Sequence, residues 1–187
     1  MKKIIVTLLA LCMLFSVSAL AVEGDAISLC GYHGDTSSQY RTVAHDPGKD
    51  IVSLNMGGIR DVAVKFTVDV PFTNFQVLGC TCGQPSGSTF DVALYVWDTD
   101  YNTTLYAGAP VAVAKGVIVT DNGTCNAFLD NQPAGTYLAV LYNPSVSNSS
   151  VGFWQLSIGN SCDYAEYYKN GILVEGAELE VQLIEGY

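Results

Sequence analysis

Asp61-Val62-Ala63-Val64-Lys65-Phe66-Thr67-Val68-Asp69 alternates without a break. Val62, Val64, Phe66 and Val68 fall on one side, and Asp61, Ala63, Lys65, Thr67 and Asp69 on the other. Side chains of a β-strand point to opposite faces with a period of two, so this pattern predicts a strand with one core face and one wet face. Thr89-Phe90-Asp91-Val92-Ala93-Leu94-Tyr95-Val96-Trp97 repeats it. There Phe90, Val92, Leu94 and Val96 form the apolar side, opposed by Asp91, Ala93, Tyr95 and Trp97. Thr136–Tyr142 differs, being apolar on both faces. A strand like that is central and covered on both sides, or turns one face to a ligand.

Further strands are expected at Gln39–Ala44, Ile51–Met56, Thr73–Leu78, Val111–Val119, Cys125–Leu129, Val151–Ile158, Tyr164–Tyr168 and Glu178–Ile184. Asn170-Gly171 is a strong two-residue hairpin turn, because both central positions need positive φ. Pro133-Ala134-Gly135 and Gln84-Pro85-Ser86-Gly87 supply other turns. Turn signals recur every 8 to 12 residues, and no window of a dozen residues carries a helical period. The expected fold is all-β, a two-sheet antiparallel sandwich of jelly-roll-like type, in a single domain over Val22–Tyr187.

The N-terminus has its own pattern. Lys2 and Lys3 precede an apolar run from Ile4 to Val17, followed by Ala19-Leu20-Ala21. That is the form of a secretory signal peptide over residues 1–21, with Val22 as the mature N-terminus and export as the consequence. The run of about 14 residues is short for a membrane span. Leu11 stands where a lipoprotein cleavage site ahead of Cys12 needs a small residue. The expectation is a secreted, extracellular protein without membrane insertion.

Cleavage would leave 166 of the 187 residues, with Arg41, Lys49, Arg60, Lys65, Lys115 and Lys169 against 18 acidic residues, a net charge of −12. Nucleic acids and anionic membranes need compensating Lys and Arg, so both are excluded as partners. Neutral glycans, cations and basic proteins are not. Five cysteines would remain: Cys30, Cys80, Cys82, Cys125 and Cys162. Cys80 and Cys82 on one strand face would lie about 7 Å apart, too far for an undistorted bridge. One or two disulfides, buried thiols and a thiolate metal site stay open.

Catalytic signatures are lacking. There is no G-x-S-x-G elbow, H-E-x-x-H pair, P-loop or G-x-G-x-x-G turn, and the histidines are only His33 and His45. The chain is expected to be no enzyme. Asp98, Asp100 and Asn102 alternate as in the first half of a calcium loop. Thr103 and Ala109 replace the Gly and Glu that an EF-hand needs, so calcium would require another arrangement, with Asp121 and Asn122 or Asp130 and Asn131 adding oxygens. Otherwise no cofactor is expected.

Aromatics carry the remaining signal, with 11 Tyr and 2 Trp. Tyr95 and Trp97 share the strand face away from the apolar set, and Asp98, Asp100 and Tyr101 follow at the strand end. Flat rings beside carboxylates suit a sugar, whose C–H face stacks while its hydroxyls are bound. These five residues form the expected ligand site. Against this stands the simpler arrangement in which the following loop covers Trp97 and the face packs a second small core. Trp154, beside Phe153, is expected in the core.

Leu94-Tyr95-Val96-Trp97-Asp98-Thr99-Asp100-Tyr101 with Thr103-Thr104, then Asp121-Asn122, Gln132-Pro133-Ala134-Gly135-Thr136-Tyr137-Leu138 and Val151-Gly152-Phe153-Trp154, form an ordered series. It resembles a β-sandwich domain of uncharacterised secreted bacterial proteins, some attached to carbohydrate-active enzymes. The resemblance covers about Ala63 to Trp154 and implies the sandwich domain without tying it to one activity. The surface aromatics make a non-catalytic binding module for a neutral carbohydrate the expected function. A structural or adhesive domain that binds an extracellular protein, through exposed edge strands, is the alternative.

Overall fold

Period-two alternation becomes two opposed faces in the computed structural model, which describes residues 26–28, 49–55, 58–80, 87–120, 123–145, 151–157 and 165–186. In chain order the elements are β1 (Ala26–Ser28), β2 (Lys49–Leu54), β3 (Val62–Val68), β4 (Phe72–Cys80) and β5 (Thr89–Val96). Then come α1 (Tyr101–Ala107), β6 (Ala112–Ile118), β7 (Thr124–Gln132), β8 (Gly135–Ser145) and β9 (Val151–Ser157). The last are β10 (Ala165–Lys169), β11 (Ile172–Leu173), β12 (Ala177–Leu179) and β13 (Val181–Glu185). One sheet runs β11-β10-β3-β8-β5-β6. The other runs β1-β13-β4-β9-β12, with β2 added on β9 and β7 on β4, and all pairings between strands of both sheets are antiparallel.

The two sheets stack into the expected all-β sandwich. Val62, Val64, Phe66, Phe90, Val92, Leu94, Tyr137, Ala139 and Leu141 from one sheet bury against Phe75, Val77, Phe153, Val181 and Leu183 from the other. Phe90 and Phe153 meet across the gap edge to face, with ring centres 4.9 Å apart. Such pairs add about 0.5–1.5 kcal/mol beyond the area they bury.

Three local expectations are corrected. Glu178–Ile184 is two strands, because the chain changes neighbours at Glu180. Its N–H donates to the Trp154 carbonyl on β9, while its carbonyl accepts from Leu78 N on β4. Trp154 does not join the core. Alternation turns Phe153 inward, fully buried, and leaves Trp154 half-buried on the other face. The stretch after Trp97 is not loop alone but contains α1, a helix too short to show a period. The segments 1–21, Gln39–Ala44, Cys30, Cys82, Cys162, His33, His45, Asp121 and Asn122 lie outside the described residues, as does the Cys80 thiol. Cys125 is a buried free thiol, and burial pushes its pKa up.

Candidate aromatic site on the outer sheet face

β8 lies between β3 and β5, so its outer residues Leu138 and Val140 need a cover of their own. α1 supplies it. Asp100 caps the helix in extended geometry, its carboxylate accepting from Thr103 N at 3.0 Å and Thr103 Oγ1 at 2.8 Å. Such a cap gives partners to backbone donors that the first helical turn cannot satisfy itself. The same bonds, led by that from the Thr103 N–H, hold the Asp100 carboxyl below its ordinary pKa. Thr104 Oγ1 accepts from Asp98 N at 3.0 Å, tying the helix back to the strand end. Gly108 and Pro110 follow the helix, where neither favours its continuation.

The cap swings Tyr101 onto the sheet. Tyr101 is buried in a second small core with Ala63, Leu138, Val140 and Tyr168, edged by Tyr95, Trp97, Leu105 and Tyr142. Both faces of β8 are therefore covered. The Tyr101 ring lies 5.1 Å from that of Tyr168, and its hydroxyl donates to Asp61 Oδ1 at 2.8 Å. Burial first, then the Asp61 hydrogen bond and charge, push the Tyr101 hydroxyl far above the ordinary tyrosine pKa.

Of the five residues expected to bind a ligand, the structure brings Tyr95 and Trp97 to the same outer face, both half-buried. Asp98 is exposed beyond them and accepts from Thr99 Oγ1 at 2.9 Å. Asp100 is engaged as the helix cap. Tyr101 faces the second core and not solvent.

Other residues complete the face. Lys65 lies opposite Leu138 on β8, which lies opposite Tyr95 on β5, and Glu166 of β10 lies opposite Lys65. Lys65 Nζ sits 4.7 Å from the centre of the Trp97 ring and 2.6 Å from Glu166 Oε1. Glu166 Oε2 accepts from the Tyr168 hydroxyl at 2.5 Å. Burial raises the Glu166 pKa, but the bonds from Lys65 and Tyr168 and the Lys65 charge outweigh it, leaving this carboxyl below its ordinary value. Thr67 and Thr136 add paired hydroxyls 3.0 Å apart at the surface. Lys65, Glu166 and Tyr168 were invisible as site residues in the sequence, since only strand register joins them to Trp97.

Among the described residues, no group of three or more His, Cys, Asp or Glu side chains converges as a metal site, and no helix is long and apolar enough to cross a membrane. The chain matches no protein-family model and no curated protein in sequence.

Proposed function

We propose that this protein is an exported, non-catalytic binding module that recognises a neutral carbohydrate on the outer face of its six-stranded sheet. One observation carries the reading. The half-exposed Trp97 stands with Tyr95 beside an ammonium and a carboxylate, Lys65 and Glu166, that are already ordered by each other. A sugar ring that takes the place of the Lys65 ammonium over the indole would meet that ammonium and the Glu166 carboxylate as donor and acceptor beside it. That combination gives a shallow site both affinity and orientation. Asp98 extends the polar rim. The sequence resemblance to domains that accompany carbohydrate-active enzymes points the same way, and the signal-like N-terminus supports export. A shallow site of this kind binds at micromolar to millimolar strength.

A glycan array followed by calorimetry tests the reading. Trp97→Ala in a folded protein should remove binding at this face, whereas Tyr101→Phe, altered only inside the second core, should retain it. Wild-type affinity in Trp97→Ala would overturn the site. Absence of binding to any glycan would overturn the function.

A further inference from the structure

Among the described residues β6 pairs only with β5 and β7 only with β4, and β6 and β7 lie against each other along one side of the sandwich. Between them runs a groove of about 520 Å³. Val113, Lys115 and Ile118 line it from β6, and Thr124, Asn126 and Phe128 from β7. That volume lies in the range of small-ligand sites.

The groove is chemically particular. Phe128 is an aromatic residue left 61% exposed. Behind it a chain of side-chain amides crosses three strands. Gln182 Nε2 donates to Gln76 Oε1 at 2.5 Å, and Gln76 Nε2 donates to Asn126 Oδ1. The chain runs toward the groove and uses the Asn126 oxygen as its terminal acceptor. Asn126 Nδ2 is left with a single long bond, to Thr124 O at 3.5 Å, so its N–H groups are available to a ligand. Asn74, cross-strand neighbour of Phe128, is 2% exposed, and its buried Nδ2 has no hydrogen-bond partner. Lys115 adds a further donor. Among the described residues that line the groove there is no carboxylate.

These features select the occupant. The Asn126 amide and the Lys115 ammonium are donors that suit a ligand rich in acceptor oxygens. An added β-strand is disfavoured, because β6 is bulged: Gly116 has φ +65, and its N–H turns to Asp91 Oδ1 at 2.8 Å. The exposed ring calls for a flat apolar face on the same ligand. We propose that this groove is a second carbohydrate subsite, with Phe128 as the stacking ring and Asn126 as the donor preset by the amide chain. It takes its ligand class from the function proposed above but not its location. The two sites adjoin, since Val113 pairs with Ala93 of β5, two residues before Tyr95.

The test is titration of the isotopically labelled protein with cellohexaose, xylohexaose, mannohexaose and maltohexaose, following the side-chain amide signals of Asn126 by NMR. Calorimetry then compares wild type, Trp97→Ala, Phe128→Ala and Phe128→Trp. The expected result is movement of the Asn126 signals on binding, about fivefold weaker affinity in Phe128→Ala, and recovery in Phe128→Trp. Recovery shows that loss in the alanine variant is not unfolding. Saturable binding with unmoved Asn126 signals and a wild-type Phe128→Ala would overturn the groove, while a loss in Trp97→Ala would leave the outer-face site standing. The reverse pattern would keep the groove and remove the Trp97 site. Failure of all four oligosaccharides to bind would overturn the groove.

Discussion

The Tyr101 hydroxyl donates to the Asp61 carboxylate at 2.8 Å, joining the first residue of α1 to the residue before β3. This bond holds the helix over the outer face of the sheet. Tyr101→Phe deletes the donor and leaves a half-buried carboxylate short of a partner, at a cost of about 1–2 kcal/mol. Tyr101→Ala also opens a void against Tyr168 and should cost about 3–5 kcal/mol. Urea unfolding measures both. Equal stability in the phenylalanine variant and wild type would mean that the bond contributes nothing net.

Alternation at Asp61–Asp69 and Thr89–Trp97 made the sandwich legible, because one period of two decides which side chains share the core. The site was legible only in part. Tyr95 and Trp97 share a face by the same period. Tyr101 was misplaced because a seven-residue helix gives no periodic signal, and its Thr103 and Thr104 are weak helix formers. The signals that mark it are Asp100 as cap and Gly108 and Pro110 as terminators. Lys65 and Glu166 could not be assigned to the site, since their proximity to Trp97 depends on registers between strands far apart in sequence.

Asp91 stitches β5 to both neighbours. Its Oδ1 accepts from Gly116 N at 2.8 Å and its Oδ2 from Asn143 Nδ2 at 2.8 Å, at two bulges where Gly116 and Asn143 both have positive φ. Asp91→Ala should lower stability by about 1–2 kcal/mol, because a backbone donor and a side-chain amide, both partly open to solvent, lose a charged acceptor together. Hydrogen exchange should accelerate at Gly116 in particular. Unchanged exchange there would contradict this role.

Tyr167 points the other way. It is 2% exposed in the main core, and its hydroxyl has no hydrogen-bond partner. Burial alone pushes that hydroxyl's pKa well up. Tyr167→Phe removes an unsatisfied polar atom and keeps the ring, so it should stabilise the protein by about 1 kcal/mol. A lower thermal midpoint than wild type would show that the hydroxyl has a partner.

Acid should weaken the outer face through Glu166 and Asp100. Both carboxyls have folded pKa values below their ordinary ones, Glu166 through Lys65 and Tyr168 against the opposing effect of burial, Asp100 through Thr103. A depressed carboxyl contributes stability above its unfolded value of about 4 and loses it as pH falls through the folded value. Stability should therefore decline from about pH 5 downward. Lys65→Met isolates the Glu166 share. It removes the ion pair and the ammonium over Trp97, costing about 1 kcal/mol or less at pH 7 because the pair is partly exposed. It also lets the Glu166 pKa rise, so stability of the variant should fall less steeply with acid than that of wild type. The two curves should draw together as pH falls through the folded Glu166 value, below which the carboxyl is protonated in wild type as well. Urea midpoints at intervals between pH 7 and pH 3 supply the measurement, with Trp97 fluorescence as the local probe. Parallel curves across that range would show that Lys65 and Glu166 are not coupled in solution, and that the order around Trp97 has another source.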